Sequence, residues 1–140
     1  MNIALLANDK KKELMVQFCI AYCGILAKHD VCATAMTGKL VSDTTGLNVF
    51  RFMEGKGGGA EQIASRVAYD EIDLLLFFRD PSQQKMSEAE ETLLRLCDMH
   101  SVPCATNIAT AEVLVTALGR GDLDWREVYH SENKPRFNLF

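Results

Sequence analysis

Apolar and polar positions follow two rhythms along this chain. Ile3 to Ala7 is an unbroken apolar run of strand length. From Asp9 to about Lys28, Leu14, Met15, Phe18, Cys19, Tyr22, Ile25 and Leu26 recur at steps of three and four. That spacing predicts an amphipathic helix, with Asn8 or Asp9 capping its start. Val31 to Thr34 reads as a second strand and Thr37 to Thr44 as a short helix stopped at Gly46. Leu47 to Phe52 alternates as a third strand. A glycine-rich loop, Gly55 to Gly59, leads into a helix over Ala60 to Tyr69. Ile72 to Phe78 has the apolar character of a central parallel strand covered on both faces. A helix over Met86 to His100 turns Leu93, Leu94, Leu96 and Cys97 inward. A last strand, Val102 to Ala105, precedes a last helix, Thr110 to Leu118, ending at Gly119.

Strand and helix thus alternate throughout, and crossovers between parallel strands are right-handed. The expected fold class is α/β: a single doubly wound, mostly parallel five-stranded sheet with helices on both faces, Rossmann-like or flavodoxin-like. A length of 140 residues suits one domain. We place it at residues 1–120, with residues 121–140 as a C-terminal tail. The apolar end of that tail, Phe137-Asn138-Leu139-Phe140, is expected to pack on the domain or on a neighbouring subunit.

Composition narrows the function. Hydrophobic residues make up 48% of the chain and charged ones 24%, ordinary for a globular protein with a sizeable core. A net charge of −4 lacks the electrostatic footprint of a nucleic-acid binder, so no nucleic acid is expected as partner. The cluster Lys10-Lys11-Lys12 reads as a solvated helix start. The first apolar run is too short for a secretion signal, and none approaches the roughly 18 residues that span a bilayer. A cytoplasmic location without membrane contact is expected. The five cysteines form no C-x-x-C pair, and Cys19 and Cys23 have no histidine at a useful spacing. Buried thiols are expected, and no metal.

Ligands of open α/β sheets bind at the carboxyl ends of the strands. The loops there read Asn8-Asp9-Lys10-Lys11-Lys12, Thr34-Ala35-Met36-Thr37-Gly38-Lys39, Glu54-Gly55-Lys56-Gly57-Gly58-Gly59, Arg79-Asp80-Pro81 and Thr106-Asn107-Ile108-Ala109-Thr110. Hydroxyls, helix-start N–H groups, a glycine loop and a lysine together describe an anion site, and phosphate is the anion such donors suit. The glycines are followed by neither GKS nor GKT and do not form GxGxxG, so neither a P-loop nor a dinucleotide is implied.

Several of these segments, in this order and spacing, resemble the methylglyoxal synthase family. They are Ala4 to Lys12, Ala33 to Gly38, Phe77 to Pro81 and Pro103 to Ala111, and the resemblance covers roughly residues 2–130. It implies elimination of phosphate from dihydroxyacetone phosphate to give methylglyoxal, without metal or organic cofactor, by a homohexamer that inorganic phosphate inhibits. A carboxylate removes the proton alpha to the carbonyl, an enediolate phosphate forms, and phosphate leaves. Lys12, Thr34, Thr37 and Gly55 match phosphate-contacting positions, and Ala35 lies among them. Asp9 and Asp80 match family aspartates. Elsewhere the pattern diverges. Asn8 stands where the family has a substrate-contacting histidine, Met36 where it has a threonine, and Glu54 where it has a serine. Ala60 occupies the position of the catalytic aspartate. Glu61, the next carboxylate, is turned about 100° further round a helix of about 3.6 residues per turn. The segment after Pro81 is about one residue short, with Met86, Ser87, Glu88 and Ala89 where the family has a histidine and an aspartate. The candidate catalytic residues are therefore Glu61, Asp80 and Asp9. Asn8, Lys12, Thr34, Ala35, Met36, Thr37, Glu54 and Gly55 are the candidate substrate- and phosphate-binding residues. A silent relative that senses a phosphorylated metabolite, or serves as an oligomeric scaffold, is the alternative.

Overall fold

The computed structural model describes residues 1–53 and 59–130. Among these residues five parallel strands, β1 (Asn2–Ala7), β2 (Asp30–Thr34), β3 (Val49–Phe52), β4 (Leu74–Phe78) and β5 (Cys104–Ala105), form one sheet in the order β3-β2-β1-β4-β5. The chain starts at the centre, winds outward through β2 and β3, then crosses back to place β4 on the other side of β1. Ala4 faces Cys32 on one flank and Leu75 on the other.

Seven helices among the described residues connect or follow the strands: α1 (Lys12–Ala21), α2 (Cys23–Leu26), α3 (Ala35–Thr45), α4 (Ala60–Ala68), α5 (Glu88–Met99), α6 (Ile108–Arg120) and α7 (Trp125–His130). Side chains of a strand alternate between faces, so each central strand feeds two cores. Ile3, Leu5, Leu74, Leu76 and Phe78 pack with Met15, Phe18, Val41 and Val115. Ala4, Leu6, Leu75 and Phe77 pack with Ile63, Val67, Leu93 and Cys97 beneath α4 and α5. This double burial explains the continuous apolar run of β4.

Several boundaries differ from the sequence pattern. The first helix is not continuous. It opens as a 3-10 turn, Asp9–Lys11, and breaks at Tyr22, whose ring leans on Phe18 at 4.8 Å. α3 starts at Ala35, directly after the extended Thr34. α5 starts at Glu88 because Ser87 and Glu90 form a reciprocal capping box. α6 is capped by Asn107, whose Oδ1 accepts from the Thr110 N–H at 3.1 Å. It runs through Gly119 and stops at Gly121, which takes φ 84°. At Gly119 a Cβ would lie 2.9 Å from Ile25 Cδ1, so that glycine lets α6 approach Ile25 and does not end the helix.

The run before β4 is broken by Asp73, which is fully buried. It accepts from the Asn2 N–H at 2.8 Å and faces the Arg126 guanidinium at 3.4 Å. Arg126, 1% exposed, also donates to the Ser101 carbonyl, and so pins α7 to the amino edge of the sheet. The opposite, carboxyl edge carries the loops of interest. Among the described residues no helix is long and apolar enough to cross a membrane.

Candidate functional site

The strand order places the switch point between β1 and β4, where adjacent loops turn to opposite faces and leave a crevice. Asn8 fills it. Its N–H donates to the Phe78 carbonyl at 3.1 Å, its Oδ1 accepts from the Asp80 N–H at 2.7 Å, and its Nδ2 donates to Glu90 Oε2 at 3.0 Å. One side chain thus joins the loops after β1 and β4 to the first turn of α5. The expected helix cap is not made: neither Asn8 nor Lys11 has a side-chain cap bond, because the Asn8 amide is engaged across the switch point.

Asp9 is exposed, and its carboxylate takes Lys12 Nζ at 2.9 Å. That hydrogen bond and charge hold the Asp9 carboxyl below its ordinary range. Lys12 Nζ also donates to the Ala7 carbonyl at 2.9 Å, which folds the ammonium over the end of β1. Asp80 is buried, and its Oδ1 accepts from the Ser82 hydroxyl at 2.7 Å and the Ser82 N–H at 2.9 Å. These bonds, with the charges of Lys10 and Lys11, hold Asp80 below the usual carboxylate range.

One strand over, β2 ends at Thr34 and α3 begins at once. The first-turn N–H groups of an α-helix have no intrahelical acceptor, so Ala35, Met36 and Thr37 offer donors and the positive end of a dipole. Thr37 is 1% exposed, and its Oγ1 is the one buried side-chain polar atom without a partner among the described residues. A buried hydroxyl is normally hydrogen-bonded, so this orphan is a candidate contact for a ligand oxygen. Gly59 closes on the same place. It has φ 92°, and a Cβ on it would meet Thr34 Cγ2 at 2.8 Å. Gln62 Nε2 donates to the Met53 carbonyl at 3.0 Å, drawing the start of α4 to the end of β3. Met53, just before the glycine-rich loop, is thus bonded to α4, and Gly59, its last residue, lies close against Thr34.

The remaining candidates are less convergent. Ala35 is half-buried, while Met36 is 48% exposed. Glu54 and Gly55 lie outside the described residues. Ala60 is buried against the sheet, so a longer side chain there would face the core. Glu61 is exposed and lines, with Ala64, Glu88, Ala89 and Thr92, a cavity of about 310 Å³ between α4 and α5. Among the described residues it makes no hydrogen bond or ion pair with Asn8, Lys12, Thr34 or Thr37. Glu90 and Ser82 are not candidates from the sequence, although the Ser87-x-x-Glu90 signature marks the helix start that carries Glu90. Cys19 and Cys32 are buried and free, and burial pushes the Cys19 thiol up to about 12 and the Cys32 thiol higher still.

Lys12, the start of α3, the unpartnered Thr37 hydroxyl and the closely packed Gly59 line one edge, an arrangement suited to a compact anion. A family model described as MGS-like domain matches residues 15–106. The chain is 58% identical over 129 residues to a methylglyoxal synthase of Caldicellulosiruptor saccharolyticus, covering 91% of this chain and 92% of that protein. It is 49% identical over 129 residues to a methylglyoxal synthase of Oceanobacillus iheyensis, with the same coverage of 91% and 92%. The crystal structure of methylglyoxal synthase from Elizabethkingia anophelis NUHP1 matches with a TM-score of 0.75 at 32% identity, covering 96% of this chain and 92% of that one. On both the family model and these relatives, the chain belongs to the methylglyoxal synthase family.

Proposed function

We propose that the chain binds dihydroxyacetone phosphate with its phosphate at the start of α3 and eliminates that phosphate to give methylglyoxal. The observation that carries the binding step is the buried, unpartnered Thr37 hydroxyl beside the N–H groups that open α3. Lys12, one strand away, supplies the countercharge. In the reaction a carboxylate takes the proton from the carbon alpha to the carbonyl, and its electrons form the enediolate. These electrons then expel the phosphate with cleavage of the carbon–oxygen bond, and the enol left behind ketonises to methylglyoxal. We assign the base to Glu61, the first carboxylate of α4, with Asp9 and Asp80 ordering the loops after β1 and β4. Assembly as a homohexamer, inhibited by inorganic phosphate, belongs to the same reading. Light scattering after size exclusion checks the assembly.

A second reading is favoured by Ala60, which is buried where the family places its base. On that reading the chain retains the phosphate cradle and acts as a silent sensor or scaffold. The experiment is turnover of dihydroxyacetone phosphate, following methylglyoxal and released phosphate, in wild type, Glu61→Gln, Ala60→Asp and Lys12→Ala. Loss of a general base removes on the order of 10² to 10⁴ in rate. Wild-type turnover that Glu61→Gln abolishes and Lys12→Ala weakens through KM supports the first reading. Phosphate binding without turnover supports the second, and absence of phosphate binding overturns both.

A further inference from the structure

The capping carboxylate of α5 does two jobs. Glu90 Oε1 accepts from the Ser87 N–H at 3.0 Å, closing the capping box, while Oε2 accepts from Asn8 Nδ2 at 3.0 Å. A capping box requires only the first contact. The second reaches across the crevice to the residue that also holds the Asp80 backbone at 2.7 Å. The Asn8 amide therefore has one orientation: its oxygen faces an N–H donor and its nitrogen faces a carboxylate. An amide nitrogen carries two hydrogens, and Glu90 uses one. Among the described residues the other has no acceptor, on a half-buried side chain at the switch point, between the loop after β2 and the loop after β4.

We propose that Glu90 is a positioning residue for this site. It locks the Asn8 amide so that the second Nδ2 hydrogen is presented to the carbonyl or enediolate oxygen of the bound ligand. Asn8 would then supply the neutral hydrogen-bond donor that distinguishes a phosphorylated carbonyl compound from bare phosphate. This rests on the reading that a phosphorylated ligand occupies the cradle.

Glu90→Gln tests it, because glutamine has one acceptor oxygen where the carboxylate uses two. It can keep the bond from Ser87 or the bond from Asn8, but not both. Combining Glu90→Gln with Asn8→Asp in a double variant repairs the geometry. The oxygen of the introduced glutamine keeps the cap, its amide nitrogen donates to the introduced aspartate, and that aspartate still accepts from the Asp80 N–H. The strap is restored with its hydrogen reversed, and the second Nδ2 hydrogen is gone. Affinities for inorganic phosphate and for dihydroxyacetone phosphate are measured by calorimetry, alongside Tm, in wild type and both variants. The expected result is a preference of dihydroxyacetone phosphate over phosphate that falls about tenfold in Glu90→Gln, the loss of roughly one hydrogen bond. In the double variant Tm recovers but the preference does not. A preference unchanged in Glu90→Gln, with phosphate still bound, overturns the positioning role alone. Recovery of the preference in the double variant overturns the donor assignment, because a strap that merely joins loops would be rescued. Failure of wild type to bind either ligand overturns the cradle reading and this one with it.

Discussion

Replacing Thr37 by valine should raise stability and lower affinity together. Among the described residues the buried hydroxyl has no partner. A buried polar group without a partner costs about 1–3 kcal/mol. Valine keeps the branched shape and removes that cost, so unliganded Thr37→Val should gain about 1 kcal/mol. For a domain of this size that is a rise in Tm of about 3 °C. The same substitution deletes a hydrogen bond to an anion, worth about 1.5–3 kcal/mol, and weakens phosphate binding roughly 10- to 100-fold. The two effects cross. At phosphate equal to about 100 times the wild-type Kd, wild type gains about 2.7 kcal/mol. A variant that binds about 30-fold more weakly gains only about 0.9 kcal/mol under the same linkage. Wild type should therefore melt below the variant in phosphate-free buffer and above it in saturating phosphate. Calorimetry supplies the two dissociation constants. A variant less stable than wild type without phosphate, or one that binds phosphate unchanged, would show that the hydroxyl is structural and not a phosphate contact.

Three further outcomes follow from the geometry. Arg126→Met leaves the Asp73 carboxylate buried without its guanidinium, which should cost about 3–5 kcal/mol in urea unfolding; a loss below about 1 kcal/mol would mean that α7 is not held by this pair. Gly59→Ala combines a left-handed φ of 92° with a Cβ 2.8 Å from Thr34. It should destabilise by about 1–3 kcal/mol and weaken phosphate binding, whereas wild-type stability and affinity would show that the cradle does not depend on this approach. Asp80 has a lowered folded pKa, so its stabilisation is present above the unfolded aspartate value of about 3.9 and is lost as pH falls through the folded value. Ser82→Ala removes the main cause, and its urea midpoint should fall below wild type at about pH 7 and approach it near pH 3; an equal gap at both pH values would assign the effect to something other than ionisation.

Much of the fold is legible in the chain because β1 and β4 are buried on both faces, which forces short, continuous apolar runs of strand length. The carboxyl-edge loops are legible for the same reason, since a parallel sheet gathers the loops after its strands on one edge. Asp73 escapes notice inside its run because an apolar reading takes no account of a buried ion pair formed with a residue 53 positions away. The role of Asn8 is hidden on similar grounds. As a short polar side chain before a helix it fits a cap, yet partners 72 and 82 residues along the chain decide its bonds. Glu90 carries a local signal, Ser87-x-x-Glu90, but that signal speaks of a helix start and not of a contact across a crevice. Glu61 is singled out by its proximity to Ala60 in sequence, while its side chain follows the helix surface into the cavity beside α5.

The central place of β1 also shapes how the chain acquires its structure. Ala7 pairs with Phe78, so one flank of the first strand waits for a segment made some seventy residues later. The nascent sheet of β1, β2 and β3 presents the edge of β1 bare until β4 has been synthesised and has crossed over. That edge is Ile3-Ala4-Leu5-Leu6, apolar on both faces and without a charge. Distant parallel pairings form slowly and leave such edges open to intermolecular pairing. Until residue 78 has been synthesised this flank of β1 has no native partner, and truncation just short of β4 should leave a product prone to aggregate.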